Sequence, residues 1–492
     1  MSAAAAAWFH SNQYTLYYGD AEAHLNIARR LSDSRTPNYE QVGTAWLPLP
    51  HLLMAPLAAR DPWWHSGLAG ALPAAACFAA SGVFLFAAAR RLFGVAAGFT
   101  ALLAAALNPN LLYLQSIPMT EPLFLAALMA MLYWLVRLGE SKKPWPAAAA
   151  GVALLLATLT RYEGWFLIPF ATLLAARLAR KRRGWAAFLF AAPATLGPLY
   201  WLGHNWWCYG DALEFYRGFY SAKAIYERSL AQGMQRYAGD GDWAMAWLYF
   251  RTAVQWCAGW GLIVAAGLGA AACAWKRVLW PLGLLALPPL FYLWSMHSGD
   301  TPIYVPNLWP NAYFNTRYGV SALPLLALAA AGVVAASPER WRAAAAAVVV
   351  LTSSAGWIAY PRMESWICWK ESQVNSEARR VWTREAAVYL RAHYRGGGIL
   401  TSFGDLTGIF REAGIPLRET LHEGNEPYWQ GAVARPDLML WEEWVVAISG
   451  DKVSSAVFKT RKSGPRYGLV KSIAVKGAPV IEIYRRRAPV VD

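Results

Sequence analysis

A chain of 492 residues that is 57% apolar, holds 27 tryptophans and carries only 15% charged residues is not an ordinary soluble domain, in which about 25% would be charged. Its formal net charge of +15 does not point to nucleic acid, because the basic residues stand at junctions between apolar runs. Five cysteines without a C-x-x-C spacing exclude a disulfide framework and a structural zinc motif.

Apolar runs of about 20 residues, the length a helix needs to cross hydrocarbon, recur through the first 360 positions. They lack the polar face of an amphipathic helix in a soluble core. In chain order the predicted spans are 67–89, 95–114, 121–137, 146–160, 163–179, 184–203, 250–274, 278–297, 318–336 and 343–360. Basic clusters follow every second one: Arg90 and Arg91, then Arg137, Lys142 and Lys143, then Arg177 with the run 180–183, then Lys276 and Arg277, then Arg340 and Arg342. This positive-inside pattern puts those turns in the cytoplasm and the intervening loops outside, with anionic lipid headgroups as the counter-charge. Residues 3–9 are too short to cross a bilayer, and no signal-peptide pattern precedes them. The outer placement of 9–66 therefore needs either a first helix missing from this sequence, the favoured reading, which would bring ten spans to eleven, or a segment that follows its hairpin across.

Polarity concentrates in the outer segments. Residues 9–66 hold amphipathic stretches over 21–31 and 48–59; residues 204–249 are aromatic-rich with Gly-Asp turns; residues 298–317 are rich in proline and asparagine. From about 361 the composition turns soluble. A charged helix over 371–393, a strand over 399–402, a helix after Asp405 and a terminal hairpin over 467–476 and 479–485 read as a small α/β domain. The predicted organisation is a membrane module over 1–360 and an extracytoplasmic α/β domain over 361–492.

Ionisable groups at membrane depth are costly and mark function first. Asp20 lies in Tyr17-Tyr18-Gly19-Asp20-Ala21-Glu22-Ala23-His24, Glu121 in Pro118-Met119-Thr120-Glu121-Pro122, Arg161 and Glu163 in Thr160-Arg161-Tyr162-Glu163, and Arg317 in Asn315-Thr316-Arg317-Tyr318. All map to outer span ends. Each has a plainer reading: Asp20 as a helix cap, Glu121 as a helix-dipole partner, Arg161 and Glu163 as a mutual pair, Arg317 as a snorkelling arginine. Together, guanidiniums that clamp a phosphate and carboxylates that take a hydroxyl proton fit group transfer from a phosphate-bearing donor. His24, His51 and His65 fall on the same side, so a divalent metal stays open without a complete ligand set. Cys208 and Cys368 also share that side, where pairing is open.

The order of these motifs resembles the GT-C superfamily of polyprenyl-phosphate-sugar-dependent glycosyltransferases, in particular the protein O-mannosyltransferase and aminoarabinose-transferase group. The acidic opening of the first outer helix with His24 and Ala28-Arg29-Arg30, the stretch Gly43 to His51, Thr120-Glu121-Pro122-Leu123-Phe124, and Asn315-Thr316-Arg317-Tyr318 with Pro324 carry the resemblance, over 14–360. It implies a GT-C-like polytopic helical fold in a bacterial inner membrane. It further implies Asp20 as general base with Glu22 competing for that role, Glu121 positioning acceptor or sugar, and Arg317 with Arg161 on the donor phosphate. The implied partners are a polyprenyl-phosphate-linked sugar, membrane lipid and an acceptor that is protein, lipid or glycan, with no nucleic acid. A transporter or lipid flippase is the alternative; it would place its charges near the midplane of repeated halves. An oligosaccharyltransferase-type enzyme would want a Trp-Trp-Asp-type motif, for which Leu440-Trp441-Glu442-Glu443-Trp444 is a poor substitute.

Overall fold

The computed structural model describes residues 1–360, 362–460 and 466–487. Six of its helices are long and apolar enough to cross a membrane: Leu68–Phe93, Glu121–Glu140, Arg183–Tyr209, Trp243–Trp275, Thr316–Ala336 and Glu339–Ala359. The other predicted spans appear as shorter or broken helices. Residues 95–114 form Val95–Ala106 and Pro109–Leu114, and residues 278–297 form Trp280–Leu285 and Leu287–His297. Trp145–Thr158 and Glu163–Leu178 complete the set. The polypeptide is an integral membrane protein.

The chain divides into two compact units, the first comprising Met1–Asn12, Thr44–Pro50 and Ala71–Glu371, the second Gln13–Gly43, His51–Gly70 and Ser372–Asp492.

In the first unit, close helix packing relies on small residues, as expected where lipid removes the hydrophobic drive between helices. A Cβ added at Gly269 would fall 1.9 Å from the Ala329 carbonyl oxygen, and one at Gly261 would fall 2.0 Å from that of Thr352. Trp243–Trp275 thus lies backbone to backbone against the two late helices.

The helix breaks have identifiable causes. Asn108 caps Pro109–Leu114 by accepting from the amides of Asn110 and Leu111. Gly259 takes φ 73° and ψ 151° inside Trp243–Trp275, a conformation only glycine adopts without strain. Near that kink the Cys257 carbonyl accepts from the side-chain amides of Asn108 at 2.7 Å and Asn110 at 3.2 Å. A freed backbone oxygen in hydrocarbon needs such partners. All five cysteines are free thiols, so Cys208 and Cys368 are not paired.

In the second unit, five strands form one sheet: β1 Ile399–Thr401, β2 Thr420–Leu421, β3 Trp444–Ile448, β4 Tyr467–Ile473 and β5 Ile481–Arg486, in the order β2-β1-β3-β5-β4. The β1 pairings are parallel; β3 with β5 and β5 with β4 are antiparallel. Alternation along β3 sends Trp444 and Val446 into one apolar cluster, Val445 and Ala447 into another, as the two-residue strand period requires. The first cluster includes Leu25 and Ala28 of Gly19–Arg30, Trp64, and Trp382, Ala386 and Leu390 of Ile367–His393.

Arg29 is committed to this unit's architecture: Nε meets Asp33 at 2.8 Å, Nη2 meets Asp61 at 2.6 Å, and the guanidinium lies 4.6 Å above Trp64. His422 is fully buried and stacked on Phe403 at 3.8 Å. Its Nδ1 accepts from the Gly424 amide. Burial holds this imidazole well below its ordinary pKa, and Arg30 and Arg35 act in the same direction.

Two outcomes are expected. Gly269→Leu should lower the melting temperature in detergent, because overpacking against backbone costs about 1–3 kcal/mol or more. For His422 the unfolded chain binds the proton first, so stability falls as pH drops below about 6.5. Thermal melts between pH 7.5 and 5 should show this slope in the wild type and a shallower one in His422→Gln.

Candidate active site

In the first unit, three of the sequence motifs deliver charged side chains to one buried cluster. Glu121 opens the helix Glu121–Glu140, preceded by Thr120 and followed by Pro122 at a position where a missing amide costs nothing. Arg161 and Glu163 flank the turn between Trp145–Thr158 and Glu163–Leu178, the carboxylate again in a first helical turn. Arg317 sits in the 3-10 turn Thr316–Ala322 that leads into Leu323–Ala336. Helix N-termini favour the two carboxylates electrostatically.

The network is compact. Arg161 donates from Nε to Glu163 at 2.6 Å and from Nη1 to both Glu121 at 3.0 Å and the Thr120 hydroxyl at 2.6 Å. Arg317 Nε donates to the same Glu121 oxygen at 3.0 Å. Tyr292 donates its hydroxyl to Glu163 at 2.6 Å and accepts from Arg161 Nη2. Its ring stacks on Tyr318 at 4.5 Å, and Tyr318 lies under both guanidiniums, at 5.7 Å from Arg161 and 5.1 Å from Arg317. Glu121, Glu163 and Arg317 are each buried. A cavity opens among them, lined by Glu121, Arg161, Glu163, Tyr292, Arg317 and Tyr318 with Phe124, Leu125, Val320 and Ser321.

Arg317 owes its place to a residue that sequence reading passed over. The Glu371 carboxylate, buried, accepts from the amides of Asn315 at 2.9 Å and Thr316 at 2.8 Å and from the Thr316 hydroxyl. Asn315 itself has a φ of 55°, so the turn enters through a left-handed residue of the kind asparagine tolerates. Glu371 thus caps the turn that carries Arg317. Neither Glu371, which reads as a solvated charge on an amphipathic helix, nor Tyr292, which reads as an interfacial tyrosine, carries a local sequence signal.

The remaining candidates lie in the second unit. Asp20 and Glu22 occupy the first turn of Gly19–Arg30. The cap position falls on Tyr18, so Asp20 is not the helix cap. Glu22 is engaged by Arg411, with Nη2 at 2.9 Å and Nε at 3.3 Å, and Arg379 approaches to 4.0 Å. His24 and His51, both buried, share a hydrogen bond of 2.9 Å between Nδ1 and Nε2. His65 belongs to the same unit; its carbonyl accepts from Arg411, and burial with nearby Arg411 lowers its imidazole pKa. Among the described residues no three His, Cys, Asp or Glu side chains gather closely enough to hold a metal ion.

Comparison with known proteins adds two observations. The family described as dolichyl-phosphate-mannose-protein mannosyltransferase matches residues 64–201, the stretch that carries Glu121, Arg161 and Glu163. Among solved structures, ArnT from Cupriavidus metallidurans bound to undecaprenyl phosphate superposes with a TM-score of 0.56 at 13% identity, covering 97% of each chain. Its apo form gives 0.55 at 13% identity, over 94% of this chain and 93% of that one. The chain shares the overall fold of these ArnT structures. A structure of the Archaeoglobus fulgidus oligosaccharyltransferase in complex with Zn and sulfate aligns more loosely, with a TM-score of 0.43 at 10% identity over 82% of this chain and 59% of that one. No curated protein sequence matches the chain.

One consequence of the network is direct. Arg161→Ala leaves buried Glu163 without a cation and Glu121 with Arg317 alone, and breaking such a buried pair costs roughly 3–5 kcal/mol. A thermal melt in detergent should show a large destabilisation, which Arg161→Lys repairs only in part because an ammonium cannot reproduce the fork.

Proposed function

We propose that the chain is a GT-C glycosyltransferase that moves a sugar from a polyprenyl-phosphate donor to an acceptor hydroxyl, at the extracytoplasmic face of a bacterial inner membrane, with inversion at the anomeric carbon. The observation that carries the reading is the buried arrangement of Arg161 and Arg317 around one cavity. Two guanidiniums at that depth suit a donor phosphate, because charge-assisted hydrogen bonds gain strength away from water. The family match over the same stretch and the undecaprenyl phosphate in the structurally similar ArnT favour a lipid-linked donor.

The step is a single displacement. A carboxylate base removes the proton of the acceptor hydroxyl, and that oxygen bonds to the anomeric carbon. The bond from that carbon to the phosphate oxygen breaks, and its electron pair leaves with the polyprenyl phosphate. Arginines directed at the leaving oxygen lower the barrier by stabilising charge as it develops. Asp20 is the base in this reading. Glu22, the competing acid, is held in an ion pair by Arg411. The acceptor class, whether protein, lipid or glycan, is a matter for the assay.

The test uses purified protein with radiolabelled polyprenyl-phosphate mannose, glucose or aminoarabinose and a membrane extract as acceptor. Wild type should transfer label from one donor, and Asp20→Asn should lose about a hundredfold or more, the usual span for a general base. Equal transfer by Asp20→Asn moves the base to Glu22. Failure of every donor overturns the reading and favours the transporter alternative.

A further inference from the structure

The charges of these four side chains sum to zero when ionised, Arg161 and Arg317 against Glu121 and Glu163, and the buried Glu371 carboxylate on the Arg317 turn adds no positive charge to offset a ligand. A phosphate clamp would ordinarily keep a positive excess to offset its ligand. Here one oxygen of Glu121 already accepts from both arginines, at 3.0 Å each. Glu163 is differently placed. It meets Arg161 alone and is held from the other side by the Tyr292 hydroxyl.

We infer that Glu121 occupies the anion position between Arg161 and Arg317 and sets how much negative charge the clamp tolerates, so that it admits a phosphodiester and disfavours a phosphomonoester. The inference rests on the donor reading above. A sugar phosphodiester of a polyprenol brings one negative charge. The polyprenyl phosphate released by the reaction brings nearly two at neutral pH, since the second proton of a phosphomonoester leaves near pH 6. With Glu121 ionised, the diester raises the local charge to minus one and the monoester to minus two. The second is the poorer ligand in a site of low polarity, where like charges repel strongly. Glu121 therefore works after the chemistry, by making the site release the product that the arginines helped to form. The same carboxylate must give up one or both guanidiniums as the donor enters, a change that a side-chain rotation at a helix N-terminus accomplishes.

The groups that face Glu121 are Arg161 and Thr120 at the first two motifs, Arg317 and Tyr318 on the 3-10 turn, and Glu163 and Tyr292 across Arg161. The Cys368 thiol lies within electrostatic reach.

The experiment measures binding of two probes to the purified full-length protein by intrinsic tryptophan fluorescence: a polyprenyl phosphate monoester and its methyl diester, at pH 8. Wild type should bind the diester more tightly. Glu121→Gln, which keeps shape and one acceptor, should bind the monoester at least about tenfold more tightly and gain less for the diester, so that the preference shrinks. Product inhibition of transfer should deepen in parallel. An effect of Glu121 on structure alone would weaken both probes together. Unchanged preference, or weaker monoester binding by a folded Glu121→Gln, overturns the inference while leaving the donor reading intact. Should Glu121→Gln fail to fold, wild type suffices: lowering the pH from 8 to 5.5 converts the monoester to a monoanion and should close its gap to the diester, and a constant gap overturns the inference. Wild type that binds neither probe overturns the donor reading itself.

Discussion

Arg161 is the member of the buried cluster on which the others depend. Its guanidinium touches Glu121, Glu163, Thr120 and Tyr292, which belong to three separate helices and the residue before one of them. Burying two carboxylates in a membrane protein is unfavourable by itself, and their pairing with arginines offsets much of that cost only when the geometry is close and the remaining lone pairs are used. The surroundings meet that condition. A tyrosine hydroxyl serves Glu163, a second arginine serves Glu121, and the Tyr318 ring lies under both cations. The cluster joins the early helices to the late ones with polar bonds that lipid cannot replace.

The membrane helices were legible because hydrocarbon imposes a length and basic residues mark alternate turns. Every predicted span coincides with a helix or a pair of helices. Their breaks were not legible: Ala286 and Asn108 interrupt apolar runs without changing their composition, and the Gly259 kink resembles any other glycine in a span. The terminal hairpin and the first strand were readable from alternation, whereas β3 hid in an aromatic and acidic stretch that looks irregular. In the site, Glu121, Arg161, Glu163 and Arg317 stood out because charge in an apolar context is rare. Tyr292 and Glu371 did not, since a tyrosine near a span end and a glutamate on a charged helix are both commonplace. Their roles exist only in three dimensions.

The second unit shows how a short N-terminal segment gains structure from a distant part of the chain. The helix Gly19–Arg30 buries Leu25 and Ala28 against residues hundreds of positions later, and Glu22 reaches Arg411. The amphipathic period over 21–31 was legible, but its partners were not, because Trp382, Phe403 and Phe410 of the same cluster lie hundreds of positions later. Packing makes this stretch part of a folded body with a five-stranded sheet.

Glu371 has a consequence for how the protein comes into being. The chain is made from its N-terminus, so Glu121 emerges first, Arg161 and Glu163 follow, and Arg317 arrives much later. The carboxylate that caps the arginine's turn is later still, beyond the helix Arg342–Ala359. Until that residue has left the ribosome and its segment has settled against Asn315 and Thr316, the turn that carries Arg317 lacks its cap. The complete cluster therefore takes shape only after the helix Arg342–Ala359 and the segment beyond it have been made.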